Sequence, residues 1–255
     1  MKTQDKHILT IKTLYPNATN VYKPATPGFV HDVYIVEDND KKFVCRFSDK
    51  ATAEHNLYVS KLFQTYNINA PRVSLYKANN QYCETYPFIE GKTFHERLIE
   101  GMPTENQGKV YKQLLEMSFK IAEIQNYTIP PLAESLTVSL SKKIFKILNP
   151  NSSVLSHTDL HAKNVILDES DNVRAIIDLD AVSPEPLIFT LVVLARDTYI
   201  YGFDSNKLVE MYGNRKEPNR LSPKAQIKIY AFLRNIYKGL STDFIRKQLL
   251  KIHIK

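Results

Sequence analysis

Residues 157–180 read His157-Thr158-Asp159-Leu160-His161-Ala162-Lys163-Asn164-Val165-Ile166-Leu167-Asp168-Glu169-Ser170-Asp171-Asn172-Val173-Arg174-Ala175-Ile176-Ile177-Asp178-Leu179-Asp180. The runs 165–167 and 173–177 are apolar and strand-like, and Ser170-Asp171-Asn172 supplies turn chemistry between them, so the segment predicts a β-hairpin. Asp159 and Asn164 precede one arm, and Asp178 and Asp180 follow the other. Hard oxygen ligands therefore converge where the strands begin and end. Magnesium takes such ligands and completes its octahedron with water and phosphate oxygens. An Asp five residues ahead of an Asn lets a tight loop aim a carboxylate at an acceptor hydroxyl while the carboxamide turns back to a metal. Phosphoryl transfer needs a loop of that kind.

Outward from this hairpin the chain shows two regimes with a change near residue 90. After a helix-like start over 6–15, the β-branched and aromatic runs 18–23, 29–37 and 42–47 predict a three-stranded meander, punctuated by Pro27-Gly28 and Asp38-Asn39-Asp40. Residues 51–66 carry Leu57, Val59, Leu62, Phe63 and Tyr66 on a broad apolar face and predict a helix that stops before Pro71. Strands over 72–76 and 81–86 follow. Beyond Gly91 the periodicity turns mostly helical, over 93–100, 105–127 and 135–148 and again from about Pro186, with the hairpin as a β interlude. The expected architecture is α+β: a small antiparallel sheet lobe with one helix over 1–90, joined by one connector to a larger, mainly helical lobe over 91–255.

Composition narrows the functional classes. With 255 residues and 43% apolar side chains, a sizeable core is available without disulfides or structural metals. Cys45 and Cys83, both in apolar β-like runs, offer no disulfide framework and no thiolate zinc cluster, and fit a reducing interior. The first residues lack an apolar signal core, and the longest apolar stretch, near 186–195, is about half the roughly 20 residues of a spanning helix. A cytoplasmic protein without a membrane partner is expected. The net charge of +7 is wholly C-terminal: residues 1–200 hold 22 basic and 23 acidic side chains, residues 201–255 hold 12 and 4. Those cations lie on helical periodicity without interleaved aromatics, which favours solvated helix faces over a nucleic-acid surface. The 15 Tyr and 12 Phe serve a core as readily as an interface, so oligomeric state is not legible.

HTDLHAKN followed by IDLD resembles the aminoglycoside phosphotransferase and choline kinase family, with its H-x-D-x-x-x-x-N loop, its later I-D-x-[DE] and its protein-kinase-like bilobal fold. The resemblance covers roughly residues 18–200. It implies an ATP- and Mg2+-dependent phosphotransferase acting on a small-molecule hydroxyl, in which Asp159 orients or deprotonates the acceptor and Asn164 and Asp178 hold magnesium. Asp180 is then a supporting or acceptor-contacting carboxylate. The family pairs a strand cation with a helix glutamate, which implies Arg46 with Glu54, Lys42 being the substitute cation. The strand period of two sets Val44 beside Arg46, where it covers adenine. Gly28 marks the place of the phosphate-covering loop. Tyr86-Pro87-Phe88-Ile89-Glu90-Gly91 resembles the connector that reads adenine, through the Pro87 carbonyl and the Ile89 N–H. After IDLD, Phe189 or Thr190 stands where the family carries a supporting Asp, so Glu185 and Asp197 become the acidic candidates on the acceptor side.

Two other classes compete. His157, Asp159 and His161 with Asp178 and Asp180 make a nitrogen and oxygen set that a zinc- or manganese-dependent hydrolase could use, and a single Gly in the covering loop suits a nucleotide-binding pseudokinase module. The phosphotransferase reading uses more of the chain, with His157 bracing the loop and His161 orienting it. The acceptor is open among choline-like, sugar and amino-acid hydroxyls. The basic C-terminal region disfavours polycationic aminoglycosides.

Overall fold

The structure is a computed structural model and describes residues 3–24, 31–78, 81–132, 153–212 and 222–229. The chain divides into two compact units, Met1–Glu90 with Thr128–Leu132, and Gly91–Tyr127 with Ala133–Lys255.

The first unit contains helix α1 (Thr3–Leu14), strands β1 (Ala18–Tyr22), β2 (Asp32–Asp38) and β3 (Lys41–Ser48), helix α2 (Lys50–Thr65), and strands β4 (Ser74–Ala78) and β5 (Gln81–Pro87). The five strands form one antiparallel sheet in the order β1-β2-β3-β5-β4. Asn39 and Asp40, both at positive φ, close a two-residue turn between paired Asp38 and Lys41, the geometry that matches strand twist. One sheet face buries Tyr34, Val36, Cys45, Phe47 and Cys83 against Ile11 of α1. Both cysteines are buried and free. Asp49 caps α2, accepting from Thr52 N at 3.0 Å and Thr52 Oγ1 at 2.7 Å.

In the second unit, β6 (Lys92–Thr93) leads into α3 (Phe94–Ile99), whose start is fixed by a capping box between Thr93 and Glu96. Helix α4 (Thr104–Ala122), strands β7 (Ser153–His157), β8 (Val165–Leu167), β9 (Val173–Ile176) and β10 (Val182–Pro186), and helices α5 (Ile188–Tyr201) and α6 (Ser205–Tyr212) follow, and 223–229 is helical. A three-stranded sheet runs β6-β8-β9, and β7 pairs with β10.

Two boundaries differ from those the sequence predicts. Helix α4 stops at Ala122 rather than 127, shortly before Asn126 in a left-handed conformation. Residues 182–186 are a strand rather than the approach to a helix; Pro184 and Pro186 are tolerated there because a two-stranded ribbon leaves one edge open. The apolar stretch 188–195 is the buried half of α5. Among the described residues no helix is long and apolar enough to cross a membrane. The helix expected over 135–148 and most of the C-terminal cations lie outside the described residues.

Candidate active site

The polar run folds as two facing crossovers between two ribbons. The β7–β10 ladder pairs His157 with Val182, and the β8–β9 ladder pairs Val165 with Ile176. The chain passes from β7 to β8 through 158–164 and from β9 to β10 through 177–181. Thr158 donates both its N–H and its Oγ1 hydroxyl to the Ala181 carbonyl, each at 2.8 Å. His157 Nε2 donates to the Ile177 carbonyl at 3.0 Å, and Ile177 N–H donates to the Asn164 carbonyl at 2.9 Å. These bonds hold the segment bearing Asp159 and Asn164 beside the one bearing Asp178 and Asp180.

Within the loop each side chain has a defined setting. His161 Nδ1 accepts from Lys163 N–H at 3.2 Å, which places the imidazole proton on Nε2, 3.3 Å from Asp159 Oδ2. Burial alone would raise the Asp159 pKa. The His161 hydrogen bond, the His161 imidazole and the Arg196 guanidinium outweigh it and hold the carboxyl below its usual range. Asp159 is thus an anion at neutral pH, with its side chain still half exposed. Asn164 Nδ2 donates to the Asp159 carbonyl at 3.0 Å, so the amide nitrogen is committed and the amide oxygen turns away. Asp178 has φ 68° and ψ 59°, a left-handed backbone that costs an Asp about 1–2 kcal/mol and opens the turn Leu179–Ala181. One carboxylate and one carboxamide oxygen suit a hard divalent cation of magnesium type.

The supports come from residues far off in sequence. Asp197 on α5, 3% exposed, accepts the Ala162 N–H on Oδ2 at 2.5 Å and holds Arg196 Nε and Nη2 on Oδ1 at 3.1 and 3.0 Å. The expectation that Asp197 contacts an acceptor is therefore corrected: Oδ2 braces the loop at Ala162 and Oδ1 is taken by Arg196. Thr190 donates its Oγ1 hydroxyl to the His157 carbonyl at 3.2 Å. Glu185 is buried in β10 opposite Val154, not displayed at a surface, while Asp180 sits half-buried in its turn. At the far end of the hairpin, Asp171 is held by Arg97 Nη2 at 2.7 Å and Asn106 Nδ2 at 2.7 Å, and Gln113 accepts Val173 N–H at 2.7 Å. No local signal marks these anchors, which act across 60 or more residues.

The first unit corrects one pairing. Arg46 faces Glu84, its cross-strand partner on β5, with Nη1 3.8 Å from Oε2. Glu54 lies on the opposite side of α2, 49% exposed and 3.7 Å from Lys50. At 100° per residue Glu54 points about 200° away from Asn56, the residue that meets Glu84, so the helix phase turns it to water. Val44 shares the Arg46 face and is buried; Lys42 is half exposed beside Glu37. Phe88 N–H donates to the Lys42 carbonyl at 2.8 Å. The alternation of an antiparallel ladder then turns the Pro87 and Ile89 main chain to the other edge, past the last β4 pair, Ser74 with Thr85. Gly28 lies outside the described residues.

Among the described residues no three His, Cys, Asp or Glu side chains are arranged to hold a metal. The hydrolase alternative finds no support, since both histidines of its cluster are engaged in loop hydrogen bonds.

Residues 142–225, which contain both crossovers, match the sequence model of the phosphotransferase enzyme family. The match spans 84 of the 255 residues, and over that stretch the chain is similar to the family. A search of curated proteins finds no match. Solved structures agree in fold. The GDP and kanamycin complex of the aminoglycoside phosphotransferase APH(2″)-IIIa superposes with a TM-score of 0.65 at 15% identity, covering 97% of each chain. APH(3″)-Id from Streptomyces rimosus gives 0.65 at 14%, over 92% of this chain and 98% of its own. Spectinomycin phosphotransferase APH(9)-Ia with ADP and spectinomycin gives 0.64 at 15%, over 92% and 85%. The protein-kinase-like α+β fold and the family resemblance read from HTDLHAKN and IDLD are both borne out.

Proposed function

We propose that the protein transfers the γ-phosphoryl group of a nucleoside triphosphate, ATP by the family resemblance, to a hydroxyl of a small molecule in a magnesium-dependent reaction. The observation that carries this reading is the pair of tied crossovers, which set an ionised Asp159 five residues from Asn164 and one hydrogen-bonded step from Asp178. Asp159 accepts a hydrogen bond from the acceptor hydroxyl, orients its lone pair in line with the γ-phosphorus and takes up its proton as the bond to phosphorus forms and the nucleoside diphosphate leaves with the bridging oxygen. His161 keeps that carboxylate charged and fixes its rotamer. Asn164 and Asp178 are the residues that would hold magnesium, which when bound neutralises phosphate charge. In the first unit, Arg46 is a phosphate ligand, Val44 covers the base, and the Pro87 carbonyl and Ile89 N–H read its edge.

The structural relatives that bind kanamycin or spectinomycin share only fold with this chain, so the acceptor is set by experiment. Purified protein with magnesium and ATP or GTP is offered choline-like, sugar, amino-acid and aminoglycoside hydroxyls, and release of ADP or GDP is read against a no-acceptor control. Acceptor-dependent release that Asp159→Asn abolishes is the expected result. Release that is independent of acceptor, or unchanged in Asp159→Asn, would sink the assignment.

A further inference from the structure

We infer that Glu84, a strand carboxylate, is the residue that positions the Arg46 guanidinium toward nucleotide phosphates. The inference rests on the reading of Arg46 as a phosphate ligand. Arg46 and Glu84 are directly opposed in the β3–β5 ladder, a register that puts both side chains on one sheet face. Glu84 is 1% exposed, and its carboxylate is fixed from three sides: Ser48 Oγ donates to Oε1 at 2.6 Å, Asn56 Nδ2 donates to Oε2 at 2.8 Å, and Arg46 Nη1 lies 3.8 Å from Oε2. A buried carboxylate held this firmly presents its charge at one place. Arg46 is itself buried, and its Nη1 lies within ion-pair distance of that charge. Helix α2 supplies an amide, Asn56, at the point nearest this pair, and its one acidic residue faces solvent. In this chain the anchoring charge has thus moved from helix to strand. Glu84 is a positioning residue: it acts on substrate only through Arg46.

Glu84→Gln tests this with little change of shape. The Asn56 Oδ1 atom is buried without a hydrogen-bond partner, so an amide flip lets Asn56 accept from the new Gln amide while Ser48 still donates to its oxygen. What is lost is the charge. Binding of magnesium nucleoside triphosphate and of the parent nucleoside is measured by calorimetry for wild type, Glu84→Gln, Glu54→Ala and Arg46→Ala. Glu84→Gln is expected to weaken triphosphate binding about tenfold and leave nucleoside binding within about twofold, following Arg46→Ala in direction, with Glu54→Ala unchanged. A merely structural role would weaken nucleoside and triphosphate alike, and that outcome overturns the inference. So does equal loss in Glu54→Ala. If wild type binds no triphosphate, or Arg46→Ala binds it normally, the underlying reading of Arg46 fails first. Should Glu84→Gln not fold, Ser48→Ala frees Oε1 at a half-exposed strand end; a selective triphosphate loss of about two- to threefold is expected, and none overturns the proposal.

Discussion

Asp197 reaches 35 residues back along the chain to accept the backbone N–H of Ala162 at 2.5 Å, which ties the middle of helix α5 to the loop bearing Asp159 and Asn164. Thr190, near the start of α5, steadies the His157 carbonyl with a neutral hydroxyl, whereas Asp197 brings a charge, and Arg196 offsets it from the neighbouring position.

Removing that charge should therefore loosen the loop. Asp197→Asn keeps the side-chain size but weakens the bond to Ala162 and leaves Arg196 without its anion. It is expected to cost about 2–3 kcal/mol in denaturant titration. Turnover should fall by about 10²-fold with the nucleotide KM nearly unchanged, because the damage is to the aim of Asp159 rather than to nucleotide contacts. An acceptor-binding role would instead raise the acceptor KM at near-normal kcat.

The ionisation of Asp159 gives a second expectation. Its pKa lies below the usual 3.8, with the His161 hydrogen bond the largest influence pulling it down against burial. The acid limb of kcat/KM that Asp159 sets should therefore lie below that value in wild type. His161→Ala removes the leading lowering influence and leaves burial to act, so the limb moves to higher pH. Asp159→Asn is expected to lower kcat by about 10²- to 10⁴-fold at every pH.

His157 couples the same loop to pH through stability. Burial lowers its pKa below 6.5, so the folded protein keeps it neutral while the unfolded chain binds a proton. Stability is then full above 6.5 and is lost as pH falls from there toward the folded-state pKa. Thermal midpoints measured from about pH 7.5 to about pH 5.5 should decline. His157→Gln, which can still donate to the Ile177 carbonyl, should flatten that slope. The slope that persists belongs largely to His7, whose pKa burial also lowers. An unaltered slope in His157→Gln would show that the imidazole does not titrate as stated.

The contrast between what was legible in sequence and what was not follows from range. Asp159 and Asn164 are five residues apart, and a short hairpin with turn residues at its tip returns the chain to Asp178, so local pattern suffices to bring them together. The sheet strands were legible because alternation reports burial directly: Val44 and Arg46 do share a face. Motif spacing alone points to Glu54, but helix phase turns that residue to solvent. Ala53, Asn56, Ser60 and Phe63, spaced three, four and three apart, mark the buried face and exclude residue 54. The β7–β10 pairing, the Asp197 brace and the Arg97–Asp171 anchor join segments 25 to 74 residues apart, and nothing local encodes which distant partner is chosen.

Gly91 is the case in which one missing methyl group sets the geometry beside the hairpin. Its φ is +140°, and a Cβ there would lie 2.2 Å from the Leu167 carbonyl oxygen and 2.9 Å from Ile166 Cγ2. The oxygen belongs to β8, which pairs Leu167 with Lys92, so it cannot move without opening the β6–β8 ladder. Gly101 offers the control: φ is +89°, yet nothing lies within 4 Å of its Cβ position. Gly101→Ala should cost only backbone strain, about 1–2 kcal/mol. Gly91→Ala adds a main-chain clash to that strain and should cost about 3 kcal/mol or more, with turnover falling as β8 shifts and carries Asn164 with it. Equal destabilisation of the two variants in urea titration would mean that strain alone acts at Gly91 and that the close approach to Leu167 relaxes freely.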